Sequence, residues 1–194
     1  MSYTSAQSGD NYRNWWPHPT MTAFTNDSIE LMRGLKAETD DAFNMTGRGY
    51  VLASRSSEMA ARLFGLSAGI DADVYTEPQH IRNAFPALSS EILNAVHIRT
   101  GGDISGQQLG ALMLERMRAS GGALLRADVT NVEAGVPIRV VAQTKTGTES
   151  IKADIVVNAA GPFAHRVAAM LGVDLPVRNV YQQKVAFEDK LGAV

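Results

Sequence analysis

Apolar residues recur along the chain in two periods, and each switch between them marks an element. Met21, Phe24, Leu31 and Leu35 share one face at helical spacing, which predicts an amphipathic helix over about 20 to 38, entered after Pro19 and slightly weakened by Gly34. "RGYVLASR" (48–55) is strand-like, and "SSEMAARLFGL" (56–66) reads as a helix that starts at serine and nears its end at Gly65. "TEPQHIRNAFPAL" predicts a short helix stopped before Pro86, since a residue ahead of proline avoids the α region. "NAVHIRT" (94–100) predicts a strand that meets a turn at Gly101 and Gly102.

In "SGQQLGALMLERMRASGG", Ser105 and Gln108 form a capping box ahead of Leu109, Leu112, Met113 and Met117 on one face, and Gly121 closes the helix. Two strands follow, "ALLRADVTNVE" (123–133) and "VPIRVVAQT" (136–144). In the second, Val136, Ile138, Val140 and Ala142 alternate with Arg139 and Gln143. After the turn "KTGT", the segment "SIKADIVVNAAG" is extended, and its "IVV" is apolar on both faces, which predicts a central strand of a parallel sheet covered on either side. The order of strand, helix, two-strand excursion, buried strand, small-residue turn and helix is that of half an α/β nucleotide-binding layer. In such layers ligands lie outside the carboxyl ends of strands, and Ala159-Ala160-Gly161 leaves backbone amides open to a cofactor. Tight strand-to-helix packing accounts for the same turn, and no G-x-G-x-x-G decides between the two.

Composition narrows the field. The 194 residues are 45% hydrophobic, enough for a core, and the formal charge of −2 supplies no basic field for nucleic acid. No apolar run reaches the ~18–20 residues of a membrane helix, so no membrane span is expected. With no cysteine there is no disulfide, zinc-thiolate site or thiol nucleophile, and no metal site is expected. The amino-terminal stretch has neither a basic nor an apolar signal region, so a cytoplasmic location is expected. G-x-S-x-G, H-E-x-x-H and P-loop patterns are missing, which leaves no acid/base dyad in view.

Two long stretches, "GGDISGQQLGALMLERMRASGGALLRADVTNVE" and "ADIVVNAAGPFAHRVAAMLGVDLPVRNVYQQKVAFE", resemble the middle of the FAD-dependent oxidoreductases of the D-amino acid oxidase, sarcosine oxidase and glycine oxidase family. The resemblance implies that Val129 and Thr130 meet the adenine end of FAD through their backbone. It implies a second FAD contact at the turn of Asn158, Ala159, Ala160, Gly161 and Ala164, with Phe163 where an aromatic often sits. More loosely, "SAQSGDNYR" is similar to the loop that passes beside the isoalloxazine ring, through Gly9, Asp10, Asn11 and Arg13. The implied architecture is α/β: a partial FAD-binding Rossmann-like layer plus part of a mixed-sheet substrate domain. Its parts are a flavin-proximal loop and helix (1–42), substrate domain (43–100), FAD-binding domain (101–172) and truncated substrate domain (173–194). The implied activity is oxidation of an amino acid or a secondary or N-methyl amine, by hydride transfer to the flavin. Tyr50 and Gln183 are the candidate substrate contacts, and a small-molecule amine or amino acid is the expected partner.

Family members open with a G-x-G-x-x-G unit and close with further strands, and neither is found here, so the chain reads as an internal fragment, inactive in isolation. Self-association through sheet edges left open is expected. The alternatives are an inert remnant serving as a structural or interaction domain, and a flavin dehydrogenase of hydroxy acids or glycerol phosphate. Arg13 is a candidate anchor for a carboxylate or the flavin region, and a solvated arginine otherwise. Trp15 and Trp16 suit packing better than a cofactor wall. For His18, His80, His97 and His165 a catalytic role is the lesser reading; Arg48 and Tyr50 begin a strand of the substrate domain, where a structural role is favoured over substrate contact by Tyr50.

Overall fold

The computed structural model describes residues 5–181 and 188. It is an α/β arrangement of helices and antiparallel sheets in two compact units, which among the described residues comprise 5–114 with 188, and 115–181. The boundary falls within a helix, after Leu114.

In the first unit, β1 (Asn11–Arg13) pairs antiparallel with β5 (Gly101–Asp103), with Tyr12 opposite Gly102 and Arg13 opposite Gly101. A three-stranded antiparallel sheet runs in the order β2 (Tyr50–Ser54), β4 (Asn94–Ile98), β3 (Ala72–Tyr75). Around these lie α1 (Pro19–Glu38), α2 (Met59–Ser67), α3 (Pro78–Ala84) and the start of α4 (Gly106–Ala119). Proline occupies the first turn of α1 and of α3, where its missing N–H costs nothing. His18 caps α1, its Nδ1 accepting the Thr20 N–H at 3.2 Å. At α4 the Gln108 N–H donates to Ser105 Oγ at 3.2 Å, which satisfies one orphan donor of the helix start as the capping box predicts. Gly101 and Gly102 are strand residues rather than a turn. A Cβ on Gly102 would stand 2.4 Å from the Thr46 carbonyl, so close backbone approach sets the residue there.

Two apolar clusters fill this unit. One joins Trp15, Leu63, Val96 and Ile98, and Trp15 donates its indole N–H to Ser67 Oγ at 3.0 Å. The other joins Ile29, Phe43 and Met45, with Met32, Leu35, Leu109 and Leu112 packed against them. This corrects the predicted face of α1. The helix buries Ile29 and half-buries Met32 and Leu35, while Phe24 and Leu31 are 64% and 76% exposed. Periodicity located the helix but could not choose between two apolar stripes; the packing of α4 and the loop after α1 decided it.

That loop places Asp40, Asp41 and Asn44 in the left-handed region, which Asp and Asn tolerate best among side-chain-bearing residues. Asp41 Oδ1 accepts the Met45 N–H at 2.7 Å, and Lys36 Nζ lies 3.2 Å from Asp41 Oδ2 and 2.5 Å from the Met45 carbonyl. The Met45 N–H, with Lys36 in support, holds the Asp41 carboxyl below its usual range against a smaller desolvation effect. A folded-state value below the unfolded one gives stability that is present above the ordinary aspartate range, near ~3.9, and lost as pH falls through the folded value. Asp41→Asn, which keeps the left-handed preference and removes the charge, is therefore expected to melt below the parent at neutral pH. The gap in Tm should close as the buffer is taken below about pH 4; a gap independent of pH would show that charge plays no part.

The second unit contains a meander of β6 (Asp128–Glu133), β7 (Ile138–Gln143) and β8 (Thr148–Ala153), antiparallel throughout. The register between β6 and β7 slips between Val129 and Asn131, so Thr130 is the extra residue of a bulge. A turn at Gly161–Phe163 leads into α5 (Ala164–Ala169). Two predictions are corrected here. Residues 123–127 are not strand, and neither is "IVV": among the described residues no strand lies beside 155–157, and Ile155 and Val157 are 80% and 81% exposed. An apolar run becomes a central strand only where neighbours pair with it and layers cover it, and the described residues supply neither.

Candidate functional site

Each unit gathers part of the sequence-predicted set. In the first, Arg13 stands at the end of β1, its guanidinium 4.5 Å from the centroid of the Trp16 ring and 4.8 Å from that of Tyr50. Trp16 reaches it from the next turn of chain, donating its indole N–H to the Arg13 carbonyl at 3.3 Å, and Tyr50 reaches it from the first residue of β2. Gly101 permits this approach, because a Cβ there would lie 3.1 Å from both the Tyr12 carbonyl and the Tyr50 Cβ. Arg13 Nε is buried and has no hydrogen-bond partner among the described residues. Two aromatic faces thus fix the guanidinium plane and leave a buried donor unmet, and a donor in that state calls for an acceptor. Sequence reasoning weighed Arg13 as an anchor or a solvated arginine, and favoured a structural role for Tyr50 and ordinary packing for Trp16; no spacing rule links positions 13, 16 and 50 in advance.

Asp10 has a left-handed backbone, accepts the Ile104 N–H through its carbonyl at 2.8 Å, and sets its carboxylate beside Gly106 at the start of α4, where a negative charge is favoured. Asn11 pairs with Asp103 in the β1–β5 ladder, and Gly9 precedes it in an exposed loop. Tyr12 donates its hydroxyl to the Thr46 carbonyl, and burial pushes its phenol above the usual range. Trp15 is a core residue. Gln183 lies outside the described residues.

In the second unit Val129 and Ala160, taken from motifs 31 positions apart in the sequence, line one cleft of about 430 Å³. Ala127, Asp128, Phe163, Arg166, Val167 and Met170 complete it. The Arg166 guanidinium lies 5.0 Å from the centroid of the Phe163 ring, a pair three residues apart that helical spacing alone brings together and that sequence reasoning overlooked. Thr130 and Ala159 flank the cleft, with Thr130 Oγ1 donating to the Val141 carbonyl at 3.3 Å. Asn158 holds the turn: its side-chain amide donates to the Ala164 carbonyl at 2.9 Å and its Oδ1 accepts the Ala160 N–H at 3.3 Å. Gly161 has φ +54°, and a Cβ there would meet nothing within 4 Å. Backbone conformation, not crowding inside the chain, is what calls for glycine. His165 Nδ1 is buried without a partner among the described residues. His80 sits 3.8 Å from Glu77, and the His97 ring packs edge-on against Phe85. No group of three His, Asp or Glu side chains converges among the described residues, and none of their helices is long and apolar enough to cross a membrane.

The first unit thus holds an aromatic-clamped arginine, and the second, taken by itself, a small-residue cleft beside a bulged strand. The model of one family, FAD dependent oxidoreductase (DAO), matches residues 2–193, and the chain belongs to that family. Among solved structures, glycine oxidase from Geobacillus kaustophilus is similar with a TM-score of 0.71 at 20% identity, over 88% of this chain and 49% of that one. L-proline dehydrogenase from P. horikoshii gives 0.69 at 21%, over 87% and 46%. L-amino acid deaminase from Proteus myxofaciens, in complex with anthranilate, gives 0.62 at 20%, over 89% and 40%. The chain spans about half the length of the structures it matches.

Proposed function

We propose that these residues form part of an FAD-dependent enzyme that oxidises an amino acid or a secondary or N-methyl amine. The observation that carries the proposal is the convergence of Val129 and Ala160 on one cleft, since each belongs to a separate motif implied to touch FAD. The residues present fit the adenine end of that cofactor. Ala127, Val129 and Ala160 give an apolar floor, Phe163 a ring to stack on, and Asp128 and Arg166 polar groups at the rim. Thr130, Ala159 and Gly161 shape the backbone around it, while Gly9, Asp10, Asn11 and Arg13 are assigned to the flavin side by the resemblance of their loop.

Bound FAD supplies a hydride acceptor, leaving an imine that water hydrolyses. The task of this chain is then to hold the substrate. Arg13 offers a planar fork of donors, pre-oriented by Trp16 and Tyr50, that matches the two oxygens of a carboxylate. Tyr50, whose ring already covers one face of that arginine, is the nearest candidate for a substrate contact; Gln183 is retained as the second.

The test is cofactor occupancy in the flavin-loaded enzyme. Gly161→Val forces a β-branched residue to φ +54°, a conformation that costs roughly 1–3 kcal/mol and displaces the Ala160 backbone. Gly161→Asn tolerates the same φ. Loss of bound flavin in the valine variant and retention in the asparagine variant are expected; full occupancy in both would remove the turn from the site.

A further inference from the structure

Trp16 belongs to two surroundings at once. Its ring centroid lies 4.5 Å from the Arg13 guanidinium, and the residue also lines a groove of about 350 Å³ between the start of α1 and the end of α2. Short or apolar side chains wall that groove, among them Ala23 of α1, Leu66 of α2 and Ile70, and no charged side chain of the described residues lines it. A Cβ on Gly65 or on Gly69, both in the wall, would meet nothing within 4 Å, so the space is open on the α2 side. Two constraints hold the Trp16 ring in place. The residue precedes Pro17, which disfavours the α region for its backbone, and its indole N–H is engaged by the Arg13 carbonyl at 3.3 Å. Asn14 ties the same stretch to α1, its side-chain amide donating to Asn26 Oδ1 in the groove wall at 2.9 Å.

From this shared wall we infer that Trp16 determines substrate size: its ring is the partition between a carboxylate held at Arg13 and the groove, and it restricts the enzyme to amino acids with a small side chain. The inference rests on the proposed reading of Arg13 as the carboxylate anchor. The side chain of an α-amino acid leaves from the carbon bonded to its carboxylate, so a group directed to the Trp16 side meets the indole at once. Small substituents clear the ring, and long or aromatic ones do not. Removing the ring joins the two spaces, and the surface then exposed is apolar, which suits a leucine or phenylalanine side chain rather than a charged one.

The experiment measures kcat/KM of the flavin-loaded enzyme for alanine and phenylalanine, taking the better-used enantiomer of each, and for ethylamine and phenylethylamine, which lack the carboxylate. The parent is expected to favour alanine. Trp16→Ala is expected to raise the phenylalanine-to-alanine ratio by about tenfold or more, the least that one methylene of fit in an apolar pocket is worth. The ratio is the readout because loss of the ring also frees Arg13, which lowers turnover of both amino acids together. Trp16→Phe keeps a ring on the guanidinium and should move the ratio the same way by less; it carries the test if the Trp16→Ala protein does not load flavin. Adding Ala23→Leu to Trp16→Ala refills the groove from α1 with a good helix former and should return most of the gain. A parent that uses phenylalanine as well as alanine, a ratio unmoved in both Trp16 variants, or a gain that Ala23→Leu leaves intact would overturn the inference, while a preference for amino acids over the amines keeps Arg13 as the anchor. Amines used by the parent as well as the amino acids would instead remove the anchor, and the inference with it.

Discussion

Replacing Arg13 by methionine is expected to lower kcat/KM for an amino-acid substrate of the flavin-loaded enzyme by roughly 10- to 150-fold, the equivalent of the ~1.5–3 kcal/mol carried by a charge-assisted hydrogen bond. Methionine keeps an apolar stem between the Trp16 and Tyr50 rings and removes every donor, so packing is disturbed less than charge. Lysine should recover only part of the loss, because an ammonium restores a positive charge without the planar fork that meets two oxygens. The control is an amine of similar size with no carboxylate. If Arg13 binds the carboxylate, the loss is confined to amino acids; an equal loss on both substrates would assign the residue to the flavin region or to packing instead.

The second large effect concerns stability. Phe43 is 0% exposed, packs with Ile29 and Met45, and sits in the loop whose carbonyl accepts the Ser105 N–H at 2.7 Å just ahead of α4. Phe43→Ala removes a buried ring and leaves a cavity among groups fixed by three left-handed residues, so little collapse is available. A loss of about 3–5 kcal/mol is expected in urea unfolding followed at the first unit, with Phe43→Leu costing clearly less. A loss below about 1 kcal/mol would show that the ring is not held as described.

The surface of α1 shows how far hydrophobic pattern reaches. The stripe of Met21, Phe24, Leu31 and Leu35 is real and helical, and it placed the helix within a residue or so. It is nevertheless the more exposed of two stripes, because the face that packs is chosen by what α4 and the 39–46 loop bring to it. "IVV" shows the same limit in a strand: a sequence apolar on both faces states a demand for two layers, and only neighbouring chain can meet it. β3 escaped notice for the complementary reason, since "ADVY" is too short and too polar to register before it pairs with β4.

For the candidate site, the sequence by itself picked out Arg13, Val129 and the turn from Asn158 to Gly161 through their motifs, and Tyr50 as a lone candidate. It also determined the local devices that shape them, including the Ser105 cap and the glycine at a left-handed turn, because caps and turns are settled by residues a few positions apart. Tertiary structure alone decided which of these meet. That Trp16 and Tyr50 clamp one guanidinium, that Val129 and Ala160 share a cleft with Arg166, and that Leu31 is left at the surface all depend on strand register and helix packing between residues distant in sequence. Hydrophobic periodicity specifies a face for each element but carries no information about which other face it will find.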